Sequence, residues 1–275
     1  MSRFVLITGC SSGIGLAAAK ALGQHGYTVI ASARKAEDVA QLRQLGLLAV
    51  ELDLANEASI ERGAAEAQAL AGGRLYGLFN NGAYGQPGAL EDLPTEALKA
   101  QFNTNLFGWH HLIRQVLPAM LAVGEGRIVQ NSSVLGLVAM KYRGAYNASK
   151  FALEGYTDTL RLELEGSGVH ISLIEPGPID TRFRANARDA FVRHIDPAQS
   201  RHQGAYRQTL TRLEKEGSTS GFTLPSEACI PPLLHALQSK RPKHRYPVTL
   251  PTRLFSILRR LLPSRWLDRI LGKSV

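Results

Sequence analysis

The fold of this chain is decided by the stretch Phe4-Val5-Leu6-Ile7-Thr8-Gly9-Cys10-Ser11-Ser12-Gly13-Ile14-Gly15. Its four apolar residues predict a buried strand, and the glycines that follow permit a tight turn into a helix. Backbone amides at a helix N-terminus bind anionic groups, so the turn is a candidate pyrophosphate site. The spacing G-x-x-x-G-x-G differs from the usual G-x-G-x-x-G fingerprint, so a purely structural turn is the alternative.

Short apolar runs and segments of helical length alternate along the rest of the chain. Strands are predicted at residues 4–8, 28–33, 47–52, 75–80, 127–132 and 170–175, with a last strand at 246–250. A short helix is expected to run to about residue 239 with Ser226 as its N-cap. The alternation predicts an α/β fold with a doubly wound, Rossmann-like parallel sheet and helices on both faces.

Polar and glycine motifs follow the predicted strands at the point where each strand ends. They are the glycine loop, Asp53, Asn80-Asn81, Ser133 and Pro176-Gly177. In doubly wound sheets, ligands bind beyond the carboxyl ends of the strands. We therefore expect these motifs to meet at one edge of the sheet.

Tyr146 and Lys150 are spaced for acid and base chemistry. Four residues apart on a helix, they share one face, so the Lys150 ammonium is expected to favour the ionised form of the Tyr146 phenol. An unperturbed phenol has a pKa of about 10, and proton transfer is most effective when the pKa lies nearer neutrality. A Tyr-x-x-x-Lys pattern alone proves little, and its weight comes from Ser133 thirteen residues earlier and from the glycine loop.

These motifs and their order resemble the short-chain dehydrogenase/reductase family from Thr8 to about Thr181. The resemblance implies a catalytic set of Asn105, Ser133, Tyr146 and Lys150, with Asn105 in the segment Asn105-Leu106-Phe107-Gly108. It implies that Tyr146 exchanges a proton with the substrate oxygen, that Ser133 orients this oxygen, and that Lys150 holds the ribose and lowers the Tyr146 pKa. Asn105 would support a water that leads protons to Lys150.

The candidate cofactor residues lie along the predicted edge of the sheet. They are Thr8, Gly9, Ser11, Ser12, Gly13, Ile14, Gly15, Arg34, Asp53, Leu54, Asn80, Asn81, Gly82, Tyr146, Lys150, Pro176, Gly177, Ile179 and Thr181. The chain departs from the family at Asn80-Asn81-Gly82-Ala83, where the usual order is Asn-Asn-Ala-Gly. The backbone freedom of Gly82 is expected to shift this loop without abolishing cofactor binding.

The end of the second strand predicts the cofactor. Ala31-Ser32-Ala33-Arg34-Lys35 has no acid where an NAD enzyme presents a carboxylate to the ribose 2′-hydroxyl. The planar guanidinium of Arg34 suits a 2′-phosphate, and the Ser12 hydroxyl can add a hydrogen bond. The sequence therefore predicts NADP(H), and a solvated surface charge at Arg34 is the alternative.

Residues 1–250 are expected to form one dinucleotide-binding catalytic domain, and 251–275 a basic amphipathic extension. Residues 178–225 lack a regular pattern and are expected to form a mobile substrate lid. The body is similar to the retinol and 17β-hydroxysteroid dehydrogenase-like branch and to related bacterial aldehyde reductases, which implies a small lipophilic carbonyl or alcohol substrate. Candidate substrate residues are Ser133, Leu135, Tyr142, Tyr146 and Phe183, although core or lid packing explains the apolar ones equally well. The family resemblance also implies a homodimer or homotetramer.

The net charge of +9 belongs to the end of the chain. Residues 240–275 hold ten lysines and arginines against one acid, Asp268, and the remainder is neutral. Residues 253–271 mix apolar and basic positions at helical spacing, with Pro263 opening a second helix, so they predict either peripheral membrane contact or packing on the protein. A nucleic-acid partner is disfavoured because the basic residues alternate with Leu and Trp.

No signal peptide or membrane span is apparent, so a cytoplasmic protein is expected, with peripheral contact to the inner face of a membrane left open. Cys10, Cys229 and the pair His110-His111 have no metal-ligand spacing, and no metal is expected. A non-catalytic protein that senses NADP with the same fold is the rival from another functional class. The complete set of Ser133, Tyr146 and Lys150 favours an enzyme.

Overall fold

The computed structural model describes residues 3–215, 217 and 221–272. Within them a parallel sheet has the strand order β3-β2-β1-β4-β5-β6-β7. The strands are β1 Arg3–Ile7, β2 Tyr27–Ala33, β3 Leu48–Glu51, β4 Leu75–Asn80, β5 Gly126–Asn131, β6 Val169–Glu175 and β7 Arg245–Pro247. The predicted doubly wound sheet is confirmed.

Helices connect the strands and cover the sheet. They are α1 Gly13–Gln24, α2 Ala36–Gln44, α3 Glu57–Leu70, α4 Thr95–Phe102, α5 Gly108–Val123, α6 Gly144–Glu163, α7 Phe183–His194, α8 Gln203–Glu214, α9 Ile230–Gln238, α10 Leu250–Leu261 and α11 Ser264–Leu271. A π-helical turn, Asn103–Phe107, joins α4 to α5. His110 and His111 lie on α5, as expected.

Two apolar cores explain why the strands are buried on both faces. On one face, residues of α1 and α9 such as Leu22 and Leu237 pack against Val5 and Val29. On the other, α3, α5 and α6 place side chains such as Ile60, Leu112 and Leu153 against the opposite side of the strands. A sheet covered on both faces is typical of parallel strands with near-continuous apolar sequences.

The chain order creates one crevice in the sheet. After β1 the chain proceeds outward through β2 to β3, and β4 then returns to pair with the other side of β1. The connections therefore diverge between β1 and β4, which is the topological switch point where ligands bind in such folds. The glycine loop follows β1 and the Asn80-Asn81 pair closes β4 at this point.

Two element boundaries and one longer segment differ from the sequence-based expectation. Ser226 does not cap α9 but lies inside a 3₁₀ turn, Ser226–Cys229, where its hydroxyl donates to the Asp180 carbonyl. The last strand ends at Pro247, because Thr249 accepts a hydrogen bond from the Thr252 amide and so caps α10. Residues 178–225 are largely helical, since α7 and α8 lie within them, so the expected irregular excursion is wrong.

The C-terminal extension forms two helices, and Pro263 stands at the N-cap of the second, as predicted. The exposed apolar residues of these helices are Leu250, Leu254, Ile257, Leu261, Trp266 and Ile270. No helix in the described ranges is long and apolar enough to cross a membrane.

Candidate active site

Thr8 and Asn81 lock the ends of β1 and β4 together at the switch point. The Thr8 hydroxyl accepts hydrogen bonds from the backbone amides of Asn81 and Gly82, each at 2.9 Å. The Asn81 amide nitrogen donates to the carbonyls of Thr8 at 2.9 Å and of Gly9 at 3.3 Å. Asn131, at the end of β5, donates to the Asn81 side-chain oxygen at 2.8 Å. Three strand ends are therefore fixed around one amide side chain.

The glycine loop closes tightly onto this brace. Gly9 has φ +71°, and a Cβ there would lie 2.6 Å from the Gly82 Cα. A Cβ on Gly15 would collide with the Gly9 carbonyl. Ser12 occupies the N-cap of α1 without a side-chain capping bond, so its hydroxyl does not satisfy the first amides of the helix. These features fit a bound pyrophosphate, for which helix N-terminal amides are the usual donors.

The reversed order at Gly82-Ala83 leaves the loop in a fixed position. Thr8 holds the Gly82 amide, and a Cβ on Gly82 would come 2.9 Å from the Leu54 side chain. Asn80 turns away from the loop, since it is fully buried and donates to Gln130 on β5 at 2.9 Å. The Asn81 side chain therefore stabilises the site, whereas the Asn80 side chain stabilises the pairing of β4 with β5.

Arg34 lies just beyond β2 and is exposed, and within the described part of the chain its guanidinium makes no hydrogen bond or ion pair. Asp53, after β3, accepts a bond from the Ala55 amide, and the neighbouring Leu54 is buried. The Leu54 carbonyl lies against Gly108, so this stretch is held between the glycine loop and α5. Arg34 is thus free to contact a ligand, while Asp53 and Leu54 are anchored.

The segment after β6 returns to the glycine loop. The Thr181 side chain lies about 3.0 Å from a Cβ built on Gly13. Ile179 pairs with Leu224, and the Pro176 carbonyl accepts from the Val134 amide at 2.8 Å. Further predicted cofactor residues that surround the loop are Ser11, exposed, and Ile14, half-buried.

Gly177 joins this segment to the C-terminal extension. A Cβ on Gly177 would collide with the Thr249 hydroxyl and come 3.0 Å from that of Thr252. Only glycine therefore lets α10 begin against this stretch of chain.

α6 brings Tyr146 and Lys150 to the end of β5, where Ser133 lies. The Ser133 side chain lies close enough to Tyr146 to lower the pKa of its phenol, and its hydroxyl accepts from the Leu135 amide at 3.1 Å. Lys150 is 1% exposed, and its ammonium donates to the Asn131 carbonyl at 2.7 Å. The ammonium lies 5.7 Å from the centroid of the Tyr146 ring. Three of the predicted catalytic residues thus meet at one place.

Burial dominates the ionisation of both side chains. It raises the pKa of Tyr146 to about 12, although the Ser133 hydrogen bond lowers this pKa. It lowers the pKa of Lys150 to about 7, although the carboxylate of Glu154 raises this pKa. Burial therefore opposes ionisation of the phenol, and the lowering of its pKa by Lys150 together with a cationic nicotinamide ring stays a prediction. The phenol is protonated at neutral pH.

Asn105 lies in the π-helical turn between α4 and α5. Its side chain accepts from the Tyr84 amide at 3.2 Å and donates to the Tyr84 carbonyl at 2.9 Å. It also donates to the Ser149 hydroxyl at 3.4 Å. π-Helical turns are frequent at functional sites. The side chain of Asn105 therefore fixes the loop after β4.

The predicted substrate residues divide into two groups. The Phe183 ring lies 5.3 Å from that of Tyr146, edge to face, and packs against Gly85. Leu135 is buried in the turn after Ser133. Tyr142 instead packs on His202 and Tyr206 of the 178–225 region. Phe183 is therefore the apolar side chain at the phenol, whereas Tyr142 holds α8 in place.

Three residues outside the predicted set surround Lys150. Asn131 supplies the carbonyl for Lys150, Trp109 places its ring 4.5 Å from the same ammonium, and Glu154 faces Lys150 from one helical turn away. The Trp109 indole also donates to the Gly82 carbonyl at 2.8 Å. The position of Asn131 two residues before Ser133 and the four-residue spacing of Glu154 from Lys150 were the available signals.

The strand order, the braced glycine loop and the Ser133, Tyr146 and Lys150 cluster agree with a family comparison. The family model for short chain dehydrogenases matches residues 3–191. The chain belongs to the short-chain dehydrogenase family. This short-chain dehydrogenase is accordingly an NAD(P)-dependent oxidoreductase of alcohol and carbonyl groups, and the resemblance inferred from its motifs is confirmed.

Two bacterial relatives match nearly the whole chain, and a human one matches two thirds of it. The uncharacterised oxidoreductase YbbO of Escherichia coli is 45% identical over 271 residues, 98% of this chain and 94% of the relative. An NADPH-dependent 3-dehydrocapnine reductase of Ornithobacterium rhinotracheale is 30% identical over 99% of this chain and 97% of its own length. Human retinol dehydrogenase 8 is 40% identical over 191 residues, which are 66% of this chain and 60% of that protein.

A solved structure supports the same fold. The short chain dehydrogenase/reductase of Burkholderia phymatum, in complex with NAD, has a TM-score of 0.78 at 28% identity. The match covers 99% of this short-chain dehydrogenase and 96% of that chain.

We expect Tyr146→Phe to fold and bind cofactor but to lose turnover by roughly 10²- to 10⁴-fold, the usual contribution of a general acid. Tyr156→Phe is the matched control, since it removes a phenol hydroxyl from the same helix; this hydroxyl hydrogen bonds to His110 at 3.0 Å. Thermal unfolding, cofactor fluorescence and kcat are measured for both variants. Wild-type kcat in Tyr146→Phe would refute the assignment.

Proposed function

We propose that this protein transfers a hydride between NADP(H) and a lipophilic aldehyde, ketone or the corresponding alcohol, of the retinoid, steroid or long-chain aldehyde type. The proposal rests on the Ser133, Tyr146 and Lys150 cluster beside the braced glycine loop. NADP(H) would be held by this loop, the Arg34 region and the segment from Pro176 to Thr181. When bound, it supplies the hydride.

Tyr146 and Ser133 manage the substrate oxygen. Ser133 orients this oxygen through its hydroxyl, which is itself fixed by the Leu135 amide. Tyr146 gives its proton to the oxygen as negative charge develops there. Because burial raises the pKa of the Tyr146 phenol, its proton is in place for transfer to a carbonyl oxygen.

Lys150 is the positive charge beside the proton donor. Its ammonium stabilises the Tyr146 phenolate left after proton transfer, and the Asn131 carbonyl holds it in place. Asn105 maintains the shape of the neighbouring loop and offers its backbone to a proton-carrying water. A non-catalytic NADP sensor remains the alternative, but it would have no use for a buried ammonium next to a phenol.

The preference for NADP(H) is supported by Arg34, which is exposed at the end of β2 and unpaired within the described residues. The half-buried Ser12 lacks a capping bond and is free to add a hydroxyl. The name of the 3-dehydrocapnine reductase records NADPH dependence in a relative. A guanidinium recognises phosphate bidentately, so its contact should discriminate between the two cofactors.

Arg34→Ala is expected to lower kcat/KM with NADPH by about 10- to 100-fold, because a charge-assisted hydrogen bond is worth roughly 1.5–3 kcal/mol. The NADH value should change little. Lys35→Ala, which removes the adjacent exposed charge, serves as the control. Equal losses with both cofactors, or a wild-type preference for NADH, would contradict the proposal.

The lipophilic substrate class is supported by Phe183 at the Tyr146 ring and by the buried Leu135 beside Ser133. The retinol dehydrogenase relative carries an apolar substrate in its name. Against apolar side chains of this kind, each methylene group that a substrate buries strengthens its binding.

In a screen of straight-chain aldehydes, kcat/KM should rise with chain length by roughly 3- to 4-fold per methylene, following about 0.8 kcal/mol per buried group. Phe183→Ala should weaken the increase of kcat/KM with chain length. Its effect on kcat/KM for the shortest aldehyde should be smaller. NADPH oxidation measures both series. Preference for short, polar carbonyls would overturn the substrate class.

Membrane contact through residues 253–271 is also part of the proposal. Leu250, Leu254, Ile257 and Leu261 form one stripe of α10 at helical spacing, and each is at least half exposed. Arg253 and Arg260 flank the stripe, and Arg265 and Arg269 accompany Trp266 on α11. A second copy of these helices would bring like charges together, whereas an anionic lipid surface satisfies both the leucines and the arginines.

The full chain should therefore co-sediment with vesicles that contain phosphatidylglycerol, more weakly at high salt, and less with pure phosphatidylcholine. The double variant Ile257→Asp, Leu261→Asp should abolish binding. Leu45→Asp, at an exposed leucine on α2's end, is the control. Unchanged binding of the double variant, or no binding of the wild type, would exclude this surface.

An oligomer is proposed on the exposed apolar residues of a different region. Phe107, Leu121 and Leu162 lie on the π-helical turn, α5 and α6, and each is more than two-fifths exposed. A homodimer or homotetramer that packs these elements would cover them.

A further inference from the structure

A buried pair of carboxylates lies behind Lys150. Glu154 on α6 and Glu175 at the end of β6 are 6% and 1% exposed. Both accept hydrogen bonds from the same guanidinium nitrogen of Arg245 on β7, Glu175 at 2.8 Å. Sharing one nitrogen places the two carboxylates close together, in a part of the core that the reaction described above does not use.

Glu154 connects this pair to the reacting groups. Lys150 is four residues earlier on α6, and both side chains are buried, so they share one face of the helix. The Ser132 hydroxyl donates to Glu154, and Ser132 immediately precedes Ser133. A Cβ on Gly136 would come within 2.9 Å of the Glu154 carboxylate, so the turn after Ser133 packs directly against it. Glu154 is therefore held in a single position.

Few other charged groups of the described residues face Glu154 and Lys150 from the surrounding elements. Asp158, one turn further along α6, accepts from Arg245 at 2.7 Å and is partly exposed. Arg259 on α10 donates to the Gly136 carbonyl at 3.5 Å. From α5, Trp109 offers only its ring to Lys150. Glu154 is thus the one carboxylate that affects the Lys150 pKa among the described residues.

Glu175 in turn controls the charge on Glu154. Two buried carboxylates that share a partner repel each other, so one of them tends to keep its proton. Burial and the Glu154 charge raise the pKa of Glu175 to about 7, and burial raises the pKa of Glu154 as well. Near neutral pH the pair therefore gains or loses a proton.

We propose that Glu154 is a positioning residue that keeps Lys150 positively charged, and that Glu175 sets how much negative charge Glu154 carries. The role rests on the proposed function, because it acts on the reaction only through Lys150. In the reductive direction activity should fall as pH rises and the Tyr146–Lys150 pair loses its proton. The carboxylate pair then decides where on the pH axis this fall occurs.

Two substitutions of the same chemistry should move this alkaline limb of kcat/KM in opposite directions. Glu154→Gln keeps an acceptor for Ser132 but removes the negative charge, so the Lys150 pKa falls and the limb moves about one pH unit lower. Glu175→Gln removes the repulsion, so Glu154 stays ionised, the Lys150 pKa rises and the limb moves higher. In both variants Arg245 retains two carboxylate partners.

Asp158→Asn is the matched control, because it also removes a carboxylate bound to Arg245 but lies two turns from Lys150. The alkaline limb of the kcat/KM profile of Asp158→Asn should stay within a few tenths of a pH unit of the wild-type limb. Thermal unfolding confirms that each variant is folded. Shifts of the same sign in Glu154→Gln and Glu175→Gln, or an equal shift in Asp158→Asn, would overturn the proposal.

A spectroscopic titration separates this proposal from the proposed function. In protein labelled at lysine Cε, the signal absent from Lys150→Met reports the Lys150 pKa directly, without substrate. The Lys150 pKa measured in this way should be lower in Glu154→Gln even if the physiological substrate is not the one proposed. A Lys150 signal that titrates unchanged in Glu154→Gln would contradict the role of Glu154 itself.

Discussion

The burial of one ammonium group constrains the whole reaction edge. Lys150 is almost fully removed from water, and an unpaired buried charge costs several kcal/mol. The Asn131 carbonyl, the Trp109 ring and the Glu154 carboxylate surround it from β5, α5 and α6. These three elements must therefore keep their relative positions. The positions of Ser133 and Tyr146 depend on the same packing.

A network of neutral hydrogen bonds completes this arrangement on the cofactor side. Thr8, Asn81 and Asn131 link the ends of β1, β4 and β5 without a charge. Their partners are mostly backbone groups, which leave little freedom to rearrange. The ammonium side of the edge is tuned by electrostatics, and the glycine-loop side is rigid for geometric reasons.

The sequence predicted the parts of the molecule that depend on local pattern. Strand β1 carries an apolar run that leads directly into the glycine loop. Tyr146 and Lys150 share a helix face because they are four residues apart on α6. The helices α7 and α8 were missed because their residues are largely polar and include Gly204, so apolar periodicity is weak. The burial of Tyr146, which raises the pKa of its phenol, was missed because burial is a tertiary property. The contact between Glu154 and Arg245 joins residues 91 positions apart, which no local pattern reveals.

The contact of Gly177 with Thr249 gives the C-terminal extension a definite place in the molecule. α10 starts at the edge of the sheet where the reaction is proposed to occur. If this helix rests on lipid, the enzyme draws an amphiphilic substrate from a two-dimensional phase. The concentration that governs its rate is then the mole fraction of substrate in the bilayer, and diluting the substrate with inert lipid slows turnover at constant bulk amount.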